Sequence, residues 1–589
     1  MKLYKRQNYL QKIRGFYQDK KMIKILTGIR GSGKSCIMEM IMNELRWRGN
    51  STANLIHIDL DAKEFKNVKN AEKLRGVINE RLVKSREGII YLFIDEIQMV
   101  EGFEELLFSL YQEDRCSIFL SASSSYILSV DFESRFRDSY KVFEILPLSY
   151  SEYEGMKDFM NLSIEENPIL EFSRYVHDGG MPKVLQCADL QEKRKYLTGI
   201  LEEIFKKDIA RMEKIRHVAY FKTVQDYIID TFGESISMTR LTDYFRNEAE
   251  IPVKRETLER YLEILEKAKL VYRCNRFDIK TEKELQGDQK YYLTDMGFYF
   301  ANKSDSKVDY SLIMKNVIFM YLKSKDYNIS TGRIGKRECD FVLSEIVDFD
   351  EEQQDDVSRK DLSTASSGSG KGGRNKVIAQ VVTKNSITER LRAVKEKADA
   401  RARERAMAAV SRRTFVTRDR ADEFRTSTEL AEPGSLADVL EQYLNANYGE
   451  VSEKKDKLET VERFEVDDKA FENAMEADSY RASDKEINGY DTSDVVMTDS
   501  YNFSDEIVAE DDQVSSYKEK ERDVKVSYRY IKFAISTADP YMEHQEYAAL
   551  DSIRDNYPKY MLTMDSVTQE HNGTVHLNAI EALKNEYKF

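Results

Sequence analysis

Two groups of residues in this chain have the types and spacing to act together on a phosphate. Gly28, Ile29, Arg30, Gly31, Ser32, Gly33, Lys34 and Ser35 fit the pattern G-x-x-x-x-G-K-[ST]. Such a loop curls so that its backbone N–H groups point inward at phosphate oxygens, and the helix that follows adds its own N-terminus. With Cys36 at the start of that helix, the set is expected to bind nucleotide. Lys34 would reach the β- and γ-phosphates and Ser35 would hold Mg²⁺. The second group is Asp95 and Glu96, which end the apolar run Ile89-Ile90-Tyr91-Leu92-Phe93-Ile94. Asp95 would hold Mg²⁺ through water, and Glu96 would orient or deprotonate the water that attacks the γ-phosphate. ATP and Mg²⁺ are therefore the expected cofactors, and hydrolysis of ATP to ADP and phosphate the expected reaction.

The flanking pattern puts these groups where the chemistry needs them. Ile23 to Leu26 reads as a buried strand before the loop, and Ile37, Met40, Ile41 and Leu45 follow at helical spacing. Further strands are expected at 54–60, 89–94, 117–120 and 142–145, with a helix over 70–84. Strands alternating with helices imply an α/β fold with a mostly parallel sheet, binding nucleotide at the carboxyl ends of its strands.

Composition bounds the rest. A chain of 589 residues makes several domains, and 41% hydrophobic with 33% charged residues suits soluble domains joined by polar segments. No apolar run approaches the ~18 residues of a membrane span, and the start lacks a signal-peptide core. The five cysteines are scattered, as expected of thiols in a reducing cytoplasm, and with the six histidines they form no zinc pattern. Residues 449–523 hold 24 acidic and 10 basic residues, which accounts for the whole net charge of −14. An acidic total therefore leaves room for a nucleic-acid surface elsewhere.

Several segments together resemble a large group of prokaryotic AAA-family ATP-binding proteins. The loop Gly28-Ile29-Arg30-Gly31-Ser32-Gly33-Lys34-Ser35 is similar to that group's G-I-R-R-S-G-K-S, with Gly31 in place of the second Arg. Asp95-Glu96-Ile97-Gln98 matches its D-E-I-Q, Leu146-Pro147-Leu148-Ser149-Tyr150 its P-L-S-F, and Gly179-Gly180-Met181-Pro182 its G-G-x-P. The resemblance implies a C-terminal domain of unknown function. In AAA-type ATPases a polar residue ends the third strand and touches the γ-phosphate or the attacking water. Ser123 or Ser124 could do this; the group's S-N-S there is Ser123-Ser124-Ser125, so its usual Asn is Ser124, and a serine-rich turn capping the next helix is the other reading. Arg135 and Arg137 precede the last core strand, and either could be an arginine finger for a neighbouring subunit in a homo-oligomer. The group's S-G-R aligns with Arg137-Asp138-Ser139, which displaces the finger.

The expected organisation is a P-loop ATPase core over 1–150, a helical lid over 151–215 and a winged helix-turn-helix over 216–300. A C-terminal domain over 301–343 plus 527–589 follows, split by an insertion over 344–526. Within the insertion we expect a flexible linker at 357–375, a partial repeat at 376–447 and an acidic disordered run at 449–523. The third winged-helix helix carries Lys254, Arg255 and Arg260, which could meet double-stranded DNA; Glu256, Glu259, Glu263 and Glu266 on the same helix favour a protein contact instead. The C-terminal domain resembles the restriction-endonuclease fold. Of that fold's metal-binding set only Asp340 is present, with Lys315, Lys532 and Ala534 at the other positions, so no nuclease chemistry is expected. Two functions fit: an ATPase that reports its nucleotide state through the C-terminal modules, or a nucleotide-gated switch with little turnover.

Overall fold

The computed structural model describes residues 3–302, 309–347, 525–538, 540–566 and 570–589. The linker, partial repeat and acidic run expected at 357–375, 376–447 and 449–523 lie outside the described residues. The described residues all belong to one unit.

The first sheet is built from β1 (Ile23–Thr27), β2 (Leu55–Asp59), β3 (Ile90–Asp95), β4 (Cys116–Ala122) and β5 (Tyr140–Glu144). Its order is β2-β3-β4-β1-β5, and every pairing is parallel. Every residue of β1, β3 and β4 is buried, which is why these strands read as mostly apolar runs, interrupted by Lys24 and Ser117, rather than as alternating ones. Helices cover both faces: α1 (Gln7–Arg14), α2 (Lys34–Trp47), α3 (Ala71–Leu82), α4 (Phe103–Gln112) and α5 (Val130–Phe136). Ile25, Leu92, Ile94 and Leu120 pack with Leu74, Ile78 and Leu107 on one side. Their neighbours in sequence, Leu26, Phe93 and Phe119, pack with Leu10, Ile37 and Ile41 on the other. The period of two along each strand feeds two cores at once. This is the P-loop NTPase α/β fold.

Three helices follow: α6 (Tyr150–Phe159), α7 (Pro168–Asp178) and α8 (Leu190–Glu203), the last continuing as a π-helical turn over Ile204–Ile209. Ser149 and Glu152 form a capping box that starts α6 immediately after the Leu146-Pro147-Leu148 segment.

The chain then builds a second sheet. Helix α9 (Val218–Asp230), strand β6 (Ser235–Ile236), α10 (Met238–Asn247), α11 (Arg255–Lys267) and the hairpin β7 (Val271–Asp278)–β8 (Lys283–Leu293) come first. After α12 (Gly297–Asn302) and α13 (Tyr310–Ser324) come β9 (Asn328–Ile334), β10 (Arg337–Val347), β11 (Lys525–Phe533), α14 (Pro540–Asp551), β12 (Lys559–Thr563), β13 (Glu570–His571), β14 (Thr574–Asn578) and α15 (Ala579–Lys584). The strand order is β13-β14-β12-β11-β10-β9-β7-β8-β6. The sequence reading separates 216–300 from 301–343, yet β7 pairs in parallel with β9 across that boundary, with Asn275 opposite Ser330 and Phe277 opposite Gly332. The hairpin and the C-terminal strands therefore share one sheet. The first half of β8 is polar and mostly exposed, which hid it from an apolar pattern.

The two sheets are tied at Glu144, the last residue of β5. Its carboxylate takes an ion pair from Lys269 at 2.6 Å and from Lys323 at 3.3 Å, and accepts a hydrogen bond from the Tyr272 hydroxyl at 2.9 Å. Burial opposes ionisation there, but the two ammonium groups and the phenol prevail and hold the carboxyl down at about 2. No helix among the described residues is long and apolar enough to cross a membrane.

Candidate functional site

The loop from Gly28 to Ser35 joins β1 to α2, at the carboxyl edge of the first sheet. Gly28 has φ +141°, and a Cβ there would lie 2.1 Å from the Ile145 carbonyl oxygen. Only glycine lets the loop lie this close to the chain leaving β5. Gly31, where the resembling group has Arg, has φ +88°, and a Cβ would lie 2.9 Å from Cδ1 of Ile200 on α8. Helix α8 thus rests on the loop. Ile29 is fully buried in the core shared with α7 and α8. Cys36 lies in the first turn of α2 with a free, exposed thiol.

Lys34 is buried and donates to the carbonyls of Gly28 (2.9 Å) and Ile29 (3.2 Å), with its Nζ 3.9 Å from Glu96 Oε1. Burial lowers its pKa. The Ser32 hydroxyl is buried inside the loop and has no hydrogen-bond partner among the described residues. An orphaned donor at this place fits a phosphate oxygen. Across the loop, Asp95 takes hydrogen bonds from Ser35 and Ser121, while burial raises its pKa. A carboxylate beside the loop serine, in a site that disfavours an uncompensated negative charge, suits Mg²⁺ held by Ser35 and Asp95 next to the phosphates.

Glu96 is buried and adopts φ +59°, in the left-handed region that turns its side chain back over the loop. Its Oε2 accepts from Gln98 Nε2 (2.5 Å), Ser123 Oγ (2.8 Å) and Arg30 Nη2 (3.2 Å). Burial raises its pKa, but Lys34 and Arg30, aided by Ser123 and Gln98, more than offset that, and the group stays ionised. Strand β4 makes this possible because it lies between β1 and β3, pairing Thr27 with Ala122 and Ile94 with Leu120. Ser121 and Ser123, two apart, face the acids from that strand end.

Of the two serines the sequence offers for this role, Ser123 lies 2.8 Å from Glu96 Oε2, while Ser124 Oγ is buried with no hydrogen-bond partner among the described residues. Arg137, the displaced finger, is exposed at the end of α5 and makes none of the contacts around Glu96. Sequence reasoning missed Asp208 altogether. It lies in the π-helical turn, 1% exposed, and its two oxygens accept from Nη2 and Nε of Arg30, both at 2.8 Å. The only signal was an acid between Lys207 and Ile209, on the buried side of a helix.

In the second sheet, Asp340 on β10 is buried between Lys315 on α13 (2.8 Å) and Lys532 on β11 (3.6 Å), and accepts the Phe533 N–H at 2.9 Å. The two ammonium groups outweigh burial and hold its carboxyl far below the usual range. Lys532 also pairs with Glu546 at 3.3 Å. No cluster of metal-ligating side chains occurs among the described residues. On α11, Arg255 pairs with Glu259 (2.9 Å), Arg260 with Glu213 (2.8 Å) and Lys267 with Glu263 (2.9 Å).

The parallel sheet, the loop and the two acids define a P-loop NTPase domain. Residues 20–154 match the family model described as AAA domain, and residues 169–307, from α7 past α12, match one described as Domain of unknown function (DUF8612). An uncharacterized protein of Haemophilus influenzae is 28% identical over 337 residues, 57% of this chain and 83% of the relative. One from Methanocaldococcus jannaschii is 26% identical over 330 residues, 54% of this chain and 72% of its own. Among solved structures, a Walker-type ATPase of Pyrococcus abyssi aligns with 51% of this chain and 95% of its own at 15% identity, with a TM-score of 0.37.

Proposed function

We propose that the protein hydrolyses ATP to ADP and phosphate with Mg²⁺, and that nucleotide state is read by the region from α9 to α15. The observation that carries this reading is the ionised Glu96 carboxylate, buried between Lys34 and Arg30 over the phosphate loop. The loop N–H groups, Lys34 and the Ser32 hydroxyl would bind the phosphates. Mg²⁺, held by Ser35 and Asp95, would supply the charge that neutralises the β- and γ-phosphates. Glu96 would orient the attacking water and take its proton.

Glu144 supports a path for the readout. The segment after it, Ile145 to Leu148, touches the loop at Gly28 and the 179–181 backbone at Gly180. A change in the loop would thereby press on the anchor of the second sheet. The α9–α11 and β7–β8 order supports a winged helix. The carboxylates paired with Arg255, Arg260 and Lys267 favour a protein partner over a phosphate backbone, which needs free cations.

A second reading has its own support. Arg137 makes no contact with the Glu96 cluster, which fits a nucleotide-gated switch with little turnover unless a second copy supplies the residue. Phosphate release with Mg-ATP, with and without double-stranded DNA, beside a Glu96→Gln control, separates the readings. Turnover lost in the control establishes the ATPase. Bound ATP without turnover establishes the switch.

A further inference from the structure

One guanidinium joins every strand end of the site to the helices above it. Arg30 is the third residue of the loop, and its side chain is only 10% exposed. Nε and Nη2 form a fork on Asp208, each at 2.8 Å. Nη2 also lies 3.2 Å from Glu96 Oε2 and 3.1 Å from Ser123 Oγ, and Nη1 lies 3.5 Å from Asp61 Oδ2 beyond β2. Ser123 Oγ stands 2.8 Å from Glu96 and 2.5 Å from Asp208, and its one proton serves one of them. The two carboxylates are thus held together by Arg30, and among the described residues Asp208 makes no ion pair with another side chain.

The position matters as much as the contacts. Among the described residues, Glu96 is the carboxylate that lies between the Arg30 guanidinium and the Lys34 ammonium. A γ-phosphate held by Lys34 would arrive beside that fork. Guanidinium pairs bidentately with phosphate as readily as with carboxylate, and a phosphate with two charges is the stronger partner. An ADP site has nothing to offer at that place. If Arg30 turns to the γ-phosphate, Asp208 is left buried without its cation, which is costly unless the π-helical turn moves. Such turns are single-turn insertions that recur at functional sites.

Resting on the P-loop reading above, we propose that Arg30 is the γ-phosphate sensor of this ATPase, and that Asp208 is the anion it leaves when a nucleoside triphosphate binds. Arg30 then supplies in the same chain the cation expected of a finger arginine. The exchange also converts the presence of the γ-phosphate into movement of the turn after α8.

The test is nucleotide binding by the full chain with Mg²⁺, comparing a non-hydrolysable ATP analogue with ADP by calorimetry. Arg30→Ala is expected to weaken the analogue about tenfold or more and ADP less than about twofold, the scale of one lost charge-assisted pair. Asp208→Asn is expected to strengthen the analogue and leave ADP unchanged. Hydrogen exchange over 204–212 should rise with the analogue but not with ADP, and this difference should vanish in Arg30→Ala. Equal weakening of both nucleotides by Arg30→Ala would overturn the proposal, leaving Arg30 a builder of the loop. Weakening of the analogue by Asp208→Asn would overturn the exchange, since Asp208 would then be positioning Arg30. If the alanine variant does not fold, Arg30→Lys is read by the same two ratios. A wild-type chain that binds neither nucleotide overturns the P-loop reading itself, and the proposal with it.

Discussion

The backbone N–H of Gly180 donates a 2.7 Å hydrogen bond to the buried carboxylate of Asp295, which joins the chain after α7 to the chain before α12. The same carboxylate accepts the Gly297 N–H at 2.7 Å, while the Gly180 carbonyl accepts the N–H of Leu148 at 2.7 Å. A Cβ on Gly179, at φ +77°, would fall 2.0 Å from Asp295 Oδ1. Gly179→Ala is therefore expected to lower stability by about 2–4 kcal/mol, combining positive-φ strain with a clash against the Asp295 carboxylate. Chemical denaturation of the full chain measures it. A loss under about 1 kcal/mol would mean the 179–182 segment can shift freely.

Acid should loosen the junction at Glu144. Its folded-state value of about 2 lies below the ordinary 4.5, so the unfolded chain binds the proton more readily. The stabilisation is present above pH 4.5 and is lost as the pH falls toward 2. We expect this group to contribute of the order of 3 kcal/mol in that window, and Glu144→Gln to flatten that part of the stability-against-pH curve. Melting temperatures across pH 2–6 for both proteins test this, and parallel curves would refute the assignment.

At Asp340 the prediction separates stability from chemistry. Asp340→Asn leaves Lys315 and Lys532 without their shared carboxylate and is expected to cost about 3 kcal/mol. Plasmid DNA incubated with the wild-type protein and Mg²⁺ or Mn²⁺ should remain uncut. Metal-dependent nicking that disappears in the variant would show that the lysines move aside for metal.

Glu96→Gln keeps the shape of the site and removes the base. Phosphate release is expected to fall by about 100-fold or more while ATP still binds, in line with the usual contribution of a general base. Loss of binding instead would assign Glu96 to holding the loop through Lys34 and Arg30.

How much of this was legible in the chain depends on the range over which each feature is determined. Gly28 to Ser35, Lys34 and the acids Asp95 and Glu96 were readable because a phosphate loop and a strand end are local: neighbouring residues supply the backbone curl and the buried run. The sequence left Ser123 and Ser124 both open; the structure adds that Ser121 and Ser123, two apart on one strand, both contact the acids after β3. Lys315 and Asp340 were identified as matching positions of one site, and the structure adds that the lysine neutralises the acid. Strands β13 and β14 were missed because short segments rich in polar residues carry little apolar pattern.

By itself, the sequence determined the phosphate-loop motif, the two acids that end β3, and the alternation that makes a parallel sheet, because local conformation and burial period follow from residue type. Only the tertiary structure decided who meets whom. Arg30 and Asp208 are 178 positions apart, and Asp340 and Lys532 lie on either side of a long insertion. Such pairs depend on strand order and helix packing, and a buried charge finds its partner only when the whole chain has closed around it.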